Sequence, residues 1–326
     1  MKIKKMVRGI ALTGLAGIIG LTGVSSAQAM ETKDEGYASY GYSLDETQRE
    51  NTRRLLGAGE VLPEDEITMT PETYVSIFGG DVANIGNIYS STYIDYQDEG
   101  HGVEVNIVTP DTILEVSEES YINAALTSGL KDATISVAST IDVSGTGALS
   151  GIYAIQQSRG EEVDPEVAQL TNDELELNGE LEDEISADNP DATSDETDAL
   201  TNGLLADIKS EIAKLAQDKD GNVEDSEARD IVINIVNNYG LNLSDETIQK
   251  LIDFATSFSK TEIALSPELQ EQLEKLGGTL KEKGGDIWDG IKSTLNDTEV
   301  QESAGNLWQS ITNFFSNLFS SFFNKN

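Results

Sequence analysis

Apolar positions along the chain follow two rhythms, and the change between them divides the molecule. In the first half they come in short β-branched or aromatic runs, at residues 36–42, 66–69, 85–96, 103–108 and 133–141. Runs of that length, bounded by Gly, Pro, Asn or Asp, predict strands. Helix starts lie between them. Ser43-Leu44-Asp45-Glu46 has capping-box spacing for a helix reaching Leu56, Thr70-Pro71-Glu72 opens a brief one, and Ser117 caps one through Leu126. Residues 97–102, between two β-rich runs, read as a hairpin turn. Residues 126–151 join these elements: Gly129 ends a helix, a strand follows, Ser144 can cap a new helix, and Gly145, Gly147 and Gly151 let its backbone approach the sheet.

Further along, the spacing changes to three and four. Val163, Val167, Leu170, Leu177, Leu181 and Ile185 predict acidic amphipathic helices ending near Asn189-Pro190. Leu200, Leu204, Ile208, Ile212 and Leu215 form the next stripe, Ile231, Val232, Ile235 and Val236 another, and Ile248, Leu251, Ile252 and Phe258 a third. Ser244 and Ser266-Pro267 are helix starts, while Leu269, Leu273 and Leu276 make a shorter stripe that Gly277-Gly278 breaks. The fold class expected is α+β, an N-terminal mixed sheet with helices followed by an all-helical C-terminal region. The expected segments are a leader over 1–29, an α+β domain over 30–160, an acidic helical connector over 161–193, a helical region over 194–297 and a terminal amphipathic helix over 298–326.

The leader has a basic start at Lys2, Lys4, Lys5 and Arg8, an apolar run over 10–24 and Ala27-Gln28-Ala29. That is the form of a secretory signal peptide, so the expected location is extracellular or envelope-associated. There is no cysteine, which removes disulfides, thiolate metal sites and a cysteine nucleophile, and suits a secreted Gram-positive protein. The net charge is −38, with 59 acidic and 21 basic residues, and loss of the leader makes it four units more negative. Such a chain is repelled by nucleic acid and anionic lipid unless cations intervene.

Candidate chemistry is sparse. His101 is the sole histidine and sits between glycines, where a turn explains it better than a metal site. Ser144-Gly145-Thr146-Gly147 could hold an anion at a helix start but lacks the lysine of a phosphate loop, so structural capping is the stronger reading. Ser150 is not in a nucleophile elbow. The sharpest motif resembles an EF-hand loop: Asp218, Asp220, Asn222, Glu224 and Glu227 fall on ligand positions for calcium, but Ala216 occupies the first. In the last segment Leu307, Trp308, Ile311, Phe314, Phe315, Leu318, Phe319, Phe322 and Phe323 share one helical face opposite Gln, Ser and Asn. That face suits contact with a membrane surface or protein partner, or homo-oligomer formation.

The stretch over 123–151, with Gly129-Leu130-Lys131-Asp132-Ala133 followed by Val143-Ser144-Gly145-Thr146-Gly147-Ala148-Leu149, resembles the YpuA-like family of secreted Firmicute proteins, a domain of unknown function. The likeness continues over 199–216 and into an aromatic C-terminal helix. It implies secretion and the architecture above, and it transfers no catalytic residue. The resulting expectation is a secreted, non-enzymatic envelope-associated or interaction protein. The alternative is an extracellular carboxylate-dependent hydrolase, stabilised by calcium.

Overall fold

The computed structural model describes residues 36–161 and 163–283. In chain order the elements are β1 (Tyr37–Gly41), α1 (Glu46–Leu55), β2 (Glu66–Met69), α2 (Pro71–Phe78), β3 (Ser91–Tyr96), β4 (Val103–Ile107), α3 (Glu118–Thr127), β5 (Ala133–Ala138), α4 (Thr146–Ser158), α5 (Pro165–Asp188), α6 (Ser194–Asp218), α7 (Asp225–Asn238), α8 (Asp245–Ser259) and α9 (Pro267–Lys283). The α+β class holds: a mixed five-stranded sheet with helices, then helices alone.

The strands lie in the order β2-β1-β3-β5-β4. The β1–β2 and β4–β5 pairs are parallel, each joined by a helical crossover, and β3 is antiparallel to both β1 and β5. The expected hairpin between β3 and β4 is absent because β5 lies between them. Its Ala133, Ile135 and Val137 are fully buried, so the most apolar strand takes a central place. The 97–102 turn is held around the start of that strand: Gly100 and Gly102 each donate an N–H to Asp132 Oδ1 at 2.9 Å, and Gln97 donates to the Asp132 carbonyl.

Alternation along β5 and β1 gives the sheet two apolar faces. Ile94, Ile135 and Val137 pack under α3 and α4, while Ala38, Tyr40 and Ala138 meet Leu56, Ala58 and Val61 on the other side. Helix α3 is shared. Tyr121, Ala124 and Ala125 face the sheet, and Leu126 joins the core of α5 to α9, where Leu181, Leu204, Ile208, Ile212, Leu251 and Leu273 are buried. The sheet edge at β4 meets the last described helix: Val103 donates its N–H to Gln272 Oε1 at 3.2 Å, and Gln272 Nε2 donates to the Lys131 carbonyl at 2.9 Å.

Two helix signals act differently from expectation. The cap of α1 is Asp45, in a reciprocal capping box with Gln48, two residues beyond Ser43. Ser43 is occupied elsewhere, its hydroxyl accepting the Ile88 N–H across the chain. Gly277-Gly278 does not end α9, which continues to Lys283. Two helical glycines cost about 2 kcal/mol, and burial of Leu269, Leu273 and Leu280 against the neighbouring helices exceeds that.

Helix α4 approaches the sheet through Gly151. A Cβ there would lie 3.0 Å from Thr92 Oγ1 and 3.2 Å from Ser39 Cβ. Thr92 in turn donates to the Ala148 carbonyl at 2.6 Å, pinning helix to strand. Gly151→Val is therefore expected to destabilise the protein by about 2–3 kcal/mol through overpacking, measured by urea denaturation. A variant of unchanged stability would show that α4 can lift from the sheet.

Candidate functional site

Three helices meet along a polar stripe set inside an apolar core. On α3 it comprises Ser120, Asn123 and Thr127; on α5, Glu174 and Asn178; on α6, Asn202 and Lys209. Each set has spacings of three, four or seven, so it lies on one helical face. The innermost pair is an ion pair: Lys209 is fully buried, Glu174 is 2 % exposed, and Lys209 Nζ lies 2.5 Å from Glu174 Oε1. The ammonium also donates to the Asn123 carbonyl at 3.1 Å and to Thr127 Oγ1 at 3.2 Å, so all three of its protons are used. Burial pulls the Lys209 pKa down, and Glu174 opposes that pull.

The stripe runs outward through Asn202. Its Oδ1 accepts from Asn123 Nδ2 at 3.0 Å and from Asn178 Nδ2 at 2.9 Å, which turns its own amide nitrogen towards Asp198 Oδ1 at 2.8 Å. Asp198 lies in a cleft of about 970 Å³ between the β4–α3 loop and the facing parts of α5 and α6. Among the described residues six carboxylates line this cleft, Glu115, Glu119, Glu182, Asp183, Asp195 and Asp198, against one cation, Lys283. Lys283 pairs with Glu119. Burial raises the Asp198 pKa to about 7; the Ser117 hydroxyl opposes this, and the charges of Glu119 and Glu182 reinforce it. Glu182 is raised by burial too, with Asp183 adding to the rise and a hydrogen bond with Asp198 countering it. The arrangement brings carboxylates together around two acids, Asp198 and Glu182, that burial makes harder to ionise.

The candidate residues read from sequence lie elsewhere. Asp218 ends α6, Asp220 has a left-handed φ of 51°, and Asn222 Nδ2 donates to the carbonyls of Lys219 and Asp220. Glu224 and Glu227 form a reciprocal capping box at the start of α7. The Glu227 carboxylate, the intended bidentate ligand, is engaged by Lys219 and by the Glu224 N–H. Those bonds hold its pKa low against partial burial. Ala216, in the first position, is fully buried. The loop is closed by its own lysine, and no group of three His, Asp or Glu suited to a metal occurs among the described residues.

His101 stands in an exposed turn with Nε2 3.4 Å from Thr134 Oγ1 and 3.7 Å from Glu104. Ser150 is buried in α4 and donates to the Gly147 carbonyl. The terminal face, Leu307, Trp308, Ile311, Phe314, Phe315, Leu318, Phe319, Phe322 and Phe323, lies outside the described residues. Sequence reasoning missed Asp198 and the polar stripe. The available signal was Lys209 itself, set between Ile208 and Ile212 in a helix whose neighbouring positions are apolar.

Fold and cleft together define an acidic α+β protein with a carboxylate-lined groove footed on a buried ion pair. Residues 40–276 match the family model described as a protein of unknown function (DUF1002), and the chain belongs to that family. It is similar to the uncharacterized protein YpuA of Bacillus subtilis (strain 168), with 37% identity over 134 residues, covering 40% of this chain and 41% of that protein. No solved structure matches the chain.

Lys209→Met alone is expected to cost about 3–5 kcal/mol, because it leaves Glu174 buried and unpaired, whereas adding Glu174→Leu should recover most of the loss. Equal losses in the single and double variants, by chemical denaturation, would contradict the pairing. For Asp198 the sign follows from its raised pKa. Between about pH 4 and 7 the unfolded chain releases a proton that the folded state retains, so stability falls as pH rises. Asp198→Asn should match the wild type at pH 4 and exceed it at pH 8 by roughly 2 kcal/mol, a figure reduced from the full shift because the side chain borders an open cleft. A variant less stable at pH 8 would contradict this.

Proposed function

We propose that this is a secreted, non-enzymatic interaction protein that captures a cationic ligand, a Lys- or Arg-bearing segment of a partner, in the acidic cleft. The observation that carries this reading is the charge imbalance of the cleft, six carboxylates facing one lysine. Burial raises the Asp198 pKa and the charges of Glu119 and Glu182 add to the rise, so an incoming ammonium or guanidinium offsets the part due to those charges. Ile113, Val116 and the exposed Leu114 offer apolar surface for the side chain's aliphatic stem. In this proposal the leader directs secretion, and the amphipathic face from Leu307 to Phe323 supplies the contact with membrane or partner.

Asp198 also supports the second reading, a carboxylate-dependent extracellular hydrolase, since an acid of pKa about 7 beside Glu119 and Glu182 is suited to proton transfer near neutrality. The two readings separate on one variant. With Asp198→Asn, capture of a basic peptide persists and loses its pH dependence, whereas hydrolysis stops.

Titration calorimetry with a lysine-rich peptide and its lysine-acetylated form tests the primary reading. The charged peptide should bind more tightly as pH rises from 6 to 8, releasing a proton, and Glu119→Gln with Glu182→Gln should weaken it by about tenfold. Equal binding of the acetylated peptide would overturn it.

A further inference from the structure

The acidic cleft is one of two polar sites with distinct chemistry. On another part of the surface, a pocket of about 260 Å³ lies between the 84–90 segment and the turn over 143–147, and the first turn of α4 forms one wall. This helix start is uncapped. The expected cap, Ser144, does not serve: its hydroxyl lies 3.1 Å from Thr146 Oγ1, and the N-cap is Gly145, with a left-handed φ of 109° and no side-chain bond to the helix. The Ala148 N–H is satisfied by the Gly145 carbonyl, while the N–H groups of Thr146 and Gly147 have no acceptor among the described residues. Residues 148–156 of α4 are all buried, so the helix dipole reaches the pocket through protein rather than water.

A second feature, on a different segment, points into the same space. Ser90 is 4 % exposed, and its hydroxyl has no hydrogen-bond partner among the described residues. It faces the first turn of α4, since a Cβ on Gly147 would lie 2.8 Å from Ser90 Oγ. Ser90 lines the pocket, so its free hydroxyl is available to a molecule held there. The remaining polar wall is neutral, formed by Asn84, Asn87, Tyr74 and Tyr89. Among the described residues no Asp or Glu lines this pocket.

We propose that this pocket binds a carboxylate, held by the Thr146 and Gly147 N–H groups and the Ser90 hydroxyl. Two free N–H groups at the positive end of a helix match the two oxygens of a carboxylate, and the hydroxyl supplies a third donor. Among the described residues no lysine or arginine lines the pocket, and the chain's net charge is −38. Those conditions favour a monoanion over a phosphate dianion. The carboxylate has two sources, a free small acid or the C-terminus of a peptide.

The test uses the full chain, ¹⁵N-labelled, with acetate, acetyl-dialanine and acetyl-dialanine amide as probes. Saturable shifts of the Thr146 and Gly147 amide signals are expected with both carboxylates and not with the amide. Tighter binding of acetyl-dialanine than acetate assigns the peptide terminus, and equal binding assigns the free acid. Ser90→Ala should weaken either by about tenfold while leaving the remaining spectrum in place. Absence of saturable shifts, equal shifts with the neutral amide, or wild-type affinity in folded Ser90→Ala overturns the proposal.

Discussion

The ion pair between Lys209 and Glu174 is the constraint on which the rest of the structure turns. Burying two charges is expensive, and the expense is offset only when every remaining proton and lone pair finds a partner. Here the partners come from three helices: Asn123 and Thr127 on α3, Glu174 on α5 and Lys209 on α6. A slip of one residue in any of these helices would strand a charge. The apolar stripes around the pair tolerate small shifts, because Leu, Ile and Val can repack, whereas the polar stripe does not. It therefore fixes the register in which Glu119, Glu182 and Asp198 meet at the cleft.

Local elements were legible in the sequence because local chemistry decides them. Thr70-Pro71 starts α2, Ser117 starts α3 and Ser244 starts α8 through backbone contacts only three residues long. The stripes through Leu204, Ile208 and Ile212 or Leu251 and Ile252 are buried as their spacing required. Strand order was not legible. Residues 97–102 have the composition of a hairpin turn, and only the later arrival of Asp132 and β5 makes them a connection between strands that never touch.

The site was less legible for a related reason. Asn, Thr, Glu and Lys on a helix look like solvent-facing residues until the partner helices are in place, so the stripe from Ser120 to Lys209 is hidden in plain composition. Conversely, Asp218, Asp220 and Glu227 have the spacing of a metal loop but serve a helix junction. Carboxylates cap helices with the same geometry they offer to ions, and here Glu227 caps α7 while pairing with Lys219.

The contact of Gln272 with the edge of the sheet reaches beyond the site. Val103 and Lys131 receive their side-chain partner from a helix more than 130 residues later in the chain. A growing chain has β3 and β4 in hand before β5 can separate them; Glu118 of α3 then meets the Ile107 end of the β4 edge, and the Val103 end waits longer still for Gln272 of α9. The edge is thereby closed in two stages from two parts of the chain, so a nascent chain presents the Val103 end of the strand to its neighbours until the helical half is made.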